Sequence, residues 1–144
     1  MRPSHVLVPL DGSPLADAAL THAISIFECP VTVLNVVTPL DSGMSEGGVL
    51  GSEDTRETAA RERADRLIDR AEARAAVEGR TVETAVESGD PAEAILAYAE
   101  TNDVDHIVMG GHGGDPNGLV ERLLGTVVTT VVSDAQITVT VVRD

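Results

Sequence analysis

The sequence predicts an α/β fold, in which a doubly wound, parallel β-sheet carries helices on both faces. Short β-branched apolar runs alternate with longer segments of helical periodicity, and turns rich in Gly, Asp or Pro separate them. The chain has 144 residues, of which 42% are hydrophobic, enough for one core without disulfides or metals. We therefore expect a single domain over residues 1–144, with five strands, four intervening helices and right-handed crossovers.

The first half of the chain predicts two buried strands and the helix between them. Residues 6–10 form an apolar run that ends in an Asp-Gly-Ser-Pro turn, which is typical of a buried strand leading into a helix. Ser13 is the expected N-cap of that helix, and Pro14 takes its first position. Residues 31–37 are apolar and largely β-branched, as in a strand covered on both faces. A long glycine-rich loop follows at 38–52.

The second half continues the alternation of helices and strands. Residues 53–78 predict a long helix with acidic residues at its start. Residues 81–87 alternate in polarity, which indicates a half-exposed strand near a sheet edge. Asp90 is the expected cap of a helix that begins at Pro91. Residues 105–109 predict the fourth strand.

The segment at 117–134 is compatible with two structures. Its apolar residues recur at every fourth position, which favours a helix, whereas the β-branched run at 127–132 suits a strand. We assign a helix because a strand would break the alternation. Residues 136–142 then form the fifth strand, whose pattern is typical of a sheet edge.

The charge balance excludes several classes of partner. The formal net charge is −14, and all ten basic residues are Arg, which argues against nucleic acids and anionic membranes. No apolar run approaches the ~18 residues of a membrane span, and no signal peptide precedes the first strand, so we expect a cytoplasmic protein. An acidic, lysine-free composition is typical of high-salt cytoplasm, and an ordinary acidic protein is the alternative. The single Cys29 excludes internal disulfides.

Two predicted strand ends carry loops with binding chemistry. Residues 11–13 follow the first strand, and the glycine-rich residues 110–114 follow the fourth. In doubly wound sheets the ligand crevice lies beyond the carboxyl ends of the strands, where the strand order switches. Glycines let backbone N–H groups approach an anion. Residues 125–126 are expected to open the final helix segment, with free N–H groups and the Thr126 hydroxyl as phosphate contacts. A plain turn with close helix packing is the alternative, since the common Walker A and dinucleotide motifs are missing.

Four segments, taken together in this order, resemble the universal stress protein (UspA) family over essentially the full chain. They are VLVPLDGS at 6–13, GDPAEAI at 89–95, DHIVMGGHG at 105–113 and LLGTV at 123–127. The resemblance implies the strand order 3-2-1-4-5 of adenine nucleotide α-hydrolase-like folds, with the first and fourth strands adjacent. It also implies membership of the ATP-binding subgroup.

The resemblance further implies individual site residues. The Gly-x2-Gly-x9-Gly-[Ser/Thr] phosphate motif of that subgroup corresponds to Gly110, Gly113, Gly125 and Thr126, followed by Val127. Here eleven residues rather than nine separate the second glycine from the third. The implied base and ribose contacts are Pro9, Asp11, Val36 and Met109. Turn capping is the alternative role for Asp11. His112 is a candidate phosphate or ribose contact, or else a solvent-facing loop residue.

The function expected from the resemblance is stress-related binding of ATP or AMP, with or without Mg²⁺, by a ligand-controlled homodimer that pairs through residues 137–142. A dimeric interaction module without nucleotide, an enzyme and a monomer with a protected edge are the alternatives. Hydrolysis of ATP should be slow at most, because no general base or arginine finger is evident in the sequence. No catalytic residue and no metal ligand set is assigned.

Overall fold

Parallel strands form one sheet with helices on both of its faces. The computed structural model describes residues 2–38, 52–111 and 119–143, without the side chains of 52–57 and 119–125. The strands are β1 Val6–Pro9, β2 Val31–Val37, β3 Glu83–Ser88, β4 His106–Gly110 and β5 Thr138–Val142. Their order is β3-β2-β1-β4-β5, and every pairing is parallel. The predicted fold class and strand order are confirmed.

The helices lie where the sequence pattern predicts them. They are α1 Pro14–Ile26, α2 Ser52–Val77, α3 Pro91–Thr101 and α4 Leu119–Asp134. The side chains of Ser13 and Asp90 accept hydrogen bonds from Ala16 N and Glu93 N at 3.2 and 3.0 Å, as expected of N-caps. The segment at 117–134 is helical from Leu119 onward, so the packing of α4 on the sheet overrides the β propensity of its valines.

The core consists of two apolar layers, one on each face of the sheet. Val6 and Val8 point towards α1 and α2, whereas the intervening Leu7 points towards α3 and α4. All three side chains are fully buried. A parallel sheet covered on both faces favours such largely apolar strands, which is why a regular alternation of polar residues is missing from β1 and β2.

The amino ends of β1 and β4 are tied together by one carboxylate. Asp105 accepts hydrogen bonds from Ser4 N at 2.9 and 3.0 Å, from Ser4 Oγ at 2.8 Å and from His5 N at 3.1 Å. Burial by itself would raise the pKa of Asp105, but these donors stabilise the charged form and the net effect lowers the pKa below its usual 3.8.

Arg80 ties the connection between α2 and β3 to the end of α1. Its guanidinium donates to the carbonyl oxygens of Ile24, Phe27 and Cys29 at 2.8, 2.7 and 3.0 Å. Carbonyls at a helix end lack intrahelical partners, so a five-donor side chain can satisfy several of them at once. The contact holds α2 beside α1, on the face of the sheet where α2 also approaches the carboxyl end of β2.

The first glycines after the fourth predicted strand belong to the sheet rather than to a loop, which corrects the predicted boundary at Met109. Gly110 is the last residue of β4, and Gly111 N donates to Val142 O at 2.8 Å. A Cβ atom on Gly110 would lie 2.5 Å from the backbone carbon of Leu15 and 2.7 Å from Ala16 N. Gly110 is therefore required by the close approach of α1.

We expect Asp105→Asn to lower the free energy of unfolding at neutral pH by about 1 kcal/mol, because it weakens charge-assisted hydrogen bonds. A carboxyl with a lowered pKa stabilises the fold above its unfolded pKa and loses that contribution as pH falls through its folded pKa. The difference from wild type should therefore shrink below pH 3.8. Urea unfolding across this range measures it, with the exposed Glu100→Gln as control; a difference independent of pH would contradict the charge argument.

Gly110→Ala should destabilise the fold by about 1–3 kcal/mol, because the added methyl group meets backbone atoms that cannot rotate away. Gly111→Ala is the matched control, since its Cβ would meet the side chain of Val141 at 3.2 Å. Thermal or urea unfolding compares the two variants. Equal stability of both would show that α1 yields at this contact.

Candidate functional site

A cavity of about 630 Å³ opens at the carboxyl end of the sheet, where the strand order switches between β1 and β4. This volume lies within the range of small-molecule sites. Residues from β1, β2 and β4 form its floor, and all four helices contribute to its walls. The location agrees with the general rule for ligand crevices in doubly wound sheets.

The cavity brings together most of the residues that the sequence predicts for nucleotide binding. Its lining includes Pro9, Asp11, Val36, Met109, Gly110, Thr126 and Val127. Gly125 and Thr126 lie inside α4, which begins at Leu119, so the expectation that they open a helix segment with free N–H groups is wrong. His112 and Gly113 lie outside the described residues, as do most of the glycine-rich loop and residues 39–51. The binding roles of these residues remain predictions.

Asp11 both caps a turn and lines the cavity. Its Oδ1 accepts a hydrogen bond from Ser13 N at 2.9 Å, so the turn-capping role is confirmed. Gly12 has a φ of +87°, which favours glycine in this turn. The other carboxylate oxygen of Asp11 has no hydrogen-bond partner among the described residues and remains available to a ligand.

Asn35 is a lining residue that the motif reasoning missed. It lies in β2, is 7% exposed, and donates from Nδ2 to Leu10 O at 2.8 Å. This bond links the end of β1 to β2 directly before the Asp11 turn. The sequence does contain a signal for Asn35, since it is the one amide side chain in an apolar strand. A buried amide needs hydrogen-bond partners, so such a residue is a candidate for a structural or ligand contact.

The helix α2 adds a wall that sequence motifs did not indicate. Ala60, Arg63 and Leu67 lie along one face of this helix and line the cavity. From the sequence, no residue of this helix was assigned to the site. The helical spacing of these three residues shows that they share one face of α2, but it does not show that this face borders the cavity.

The charges around the cavity are mixed. Among the described lining residues, Arg63 carries a positive charge, while Asp11 and Asp90 contribute carboxylates. Asp90 also caps α3 through Glu93 N. In the described part of the chain, no group of three or more His, Cys, Asp or Glu side chains is arranged to hold a metal ion. Nor does any helix among the described residues have the length and apolarity to cross a membrane.

Comparison with known proteins connects this geometry to a family. A sequence model of the universal stress protein family matches residues 3–143. The chain is 31% identical over 143 residues to universal stress protein MJ0531 of Methanocaldococcus jannaschii, covering 96% of this chain and 81% of that protein. It is 27% identical to UspA from Lactobacillus plantarum, with a TM-score of 0.79 and 99% coverage of both chains.

A more distant structure has the same fold with a ligand. It is an Arabidopsis thaliana protein of the universal stress protein family, solved with AMP bound. It shares 18% identity with this chain at a TM-score of 0.70, covering 98% of this chain and 92% of that one. Because the family match spans nearly the whole sequence and the curated archaeal relative exceeds 30% identity, the chain belongs to the universal stress protein family.

Proposed function

We propose that this universal stress protein binds an adenine nucleotide, ATP or AMP, in the cavity between β1 and β4. The observation that carries the proposal is the convergence of residues from four separate chain segments on this cavity. Those residues were predicted for nucleotide binding from the sequence alone. The AMP-bound relative of the same fold adds support.

The apolar part of the cavity suits a purine base. Pro9, Val36, Met109 and Val127 provide nonpolar surface that a flat aromatic ring can cover. Asp11 supplies an acceptor at the edge of this surface, where a base or ribose donor would lie. Backbone groups at the ends of β1 and β2 are also close to this region, since both strands end at the cavity.

The phosphate groups of the nucleotide would lie towards Gly110 and towards Thr126 of α4. Thr126 lies in the interior of α4, so binding there would rely on its hydroxyl and on the backbone N–H groups predicted for the glycine motif around Gly113. It would not rely on Lys, which the chain lacks. Arg63 adds one positive charge to the lining, but Asp11 and Asp90 oppose it. We therefore expect ATP to bind with Mg²⁺, which would offset part of the repulsion.

The first experiment measures nucleotide binding by calorimetry at high KCl with Mg²⁺. Wild type should bind ATP or AMP. Val127→Trp should weaken binding at least about tenfold, because the larger ring fills the cavity beside α4. Val77→Trp is the control, since Val77 is 85% exposed at the end of α2 and outside the cavity.

The absence of binding by folded wild type would contradict the proposal. It would favour the alternative of an interaction module, in which the longer spacing between Gly113 and Gly125 prevents phosphate binding. Equal losses in Val127→Trp and Val77→Trp would place the ligand elsewhere. ATP turnover is checked in the same samples, and we expect it to be slow.

We further propose that two copies pair through the edge strand β5. Val142 O bonds to Gly111 N, so Val142 directs its backbone groups towards β4. Because neighbouring residues in a strand alternate, the N–H and C=O of Val139 and Val141 point to the open edge. Such an edge is usually covered or paired in soluble proteins.

Val139→Pro should convert the dimer to a folded monomer, because it removes an outward N–H while leaving the β4 ladder intact. Val139→Ala is the matched control, since it shortens the side chain but keeps the donor. Sedimentation equilibrium measures the mass of each variant. A monomeric wild type, or a dimeric Val139→Pro, would exclude pairing through this edge.

A further inference from the structure

One polar side chain in the cavity carries an acceptor that no described residue of the chain bonds. Asn35 donates from Nδ2 to Leu10 O at 2.8 Å. Because a carbonyl oxygen only accepts, the amide nitrogen must face Leu10, and the amide cannot be turned around. The position of Oδ1 is fixed by the same bond.

The Oδ1 acceptor of Asn35 is open to the cavity. It has no hydrogen-bond partner among the described residues, although the side chain is more than nine-tenths buried. In that part of the chain, every side-chain nitrogen or oxygen that is fully sealed from solvent has a hydrogen-bond partner. Oδ1 is therefore not sealed, and the space that Asn35 lines is the cavity.

The position of Asn35 in the sheet directs it to one side of that space. Residues alternate along a strand, and Val31 and Val33 pack in the layer of α1 and α2, so Asn35 lies on the same face. The α2 wall, with Arg63 and Leu67, covers this side of the cavity.

We propose that Asn35 is a specificity-determining residue whose Oδ1 accepts a hydrogen bond from the bound nucleotide. This inference rests on the proposed function and goes beyond it by naming the chemistry that is recognised, a hydrogen-bond donor on the nucleoside. In an adenine nucleotide that donor is the exocyclic amino group or a ribose hydroxyl. A ligand without it leaves a buried acceptor unpaired, which is costly.

A cycle of protein and ligand changes tests the proposal. Wild type and Asn35→Ala are each titrated with ATP, with purine riboside triphosphate, which lacks the amino group, and with 2′-deoxy-ATP and 3′-deoxy-ATP. Asn35→Ala should weaken ATP binding about tenfold. The same substitution should hardly change the affinity for the one analogue that lacks the donor group bound by Oδ1. That analogue therefore identifies the donor that Asn35 recognises.

A second variant covers the case in which Asn35→Ala does not fold. Asn35→Thr suits a β-strand and keeps a hydroxyl that can donate to the Leu10 carbonyl. It should fold and show the same loss of discrimination. Thr32→Val is the matched control, because Thr32 is a buried polar residue in the same strand but does not line the cavity. It should leave the ratio of ATP to analogue affinities unchanged.

The outcomes separate this inference from the function on which it rests. If folded wild type binds none of the four nucleotides, the proposed function fails and the inference falls with it. If wild type binds ATP and the Asn35 variants weaken all four ligands by the same factor, Asn35 is only structural and the inference alone is wrong. If the Asn35 variants weaken binding of one analogue by a smaller factor than they weaken binding of ATP, direct recognition by Asn35 is supported.

Discussion

The close approach of α1 to the end of β4 is the constraint on which the site depends. A Cβ atom at Gly110 would lie 2.5 Å from the backbone of Leu15, so only a glycine permits this packing. The contact places the turn that carries Asp11 beside the carboxyl end of β4. Without it, the carboxyl ends of β1 and β4 would not share one cavity, and the switch point would be closed or distorted.

The two ends of the sheet have different roles. At the amino end, hydrogen bonds fasten neighbouring strands: Asp105 holds Ser4 and His5, and Thr32 Oγ1 donates to Glu83 at 3.1 Å. At the carboxyl end β1 and β4 separate around the cavity, and there the side chain of Asn35 donates to Leu10 O.

The composition constrains how such a site can hold an anion. With a net charge of −14 and no lysine, the protein surrounds any phosphate group with a repulsive field. Backbone N–H groups are dipoles whose number does not depend on the charge of the side chains, so glycine-rich segments and helix termini can bind phosphate in an acidic protein. From the described side chains of α2, Arg63 supplies a positive charge beside the apolar Ala60 and Leu67.

The sequence by itself determined the order of elements, because apolar periodicity and turn residues such as Ser13 and Asp90 act over a few neighbouring positions. Through its resemblance to the family, it also pointed to seven residues that line the cavity, most of them in short motifs that are recognisable without the fold. Only the tertiary structure decided that Arg63 and Asn35 join them, and that Gly110 belongs to the sheet. These assignments depend on contacts between segments tens of residues apart, and such contacts form only when α1 and α2 pack together on one face of the sheet.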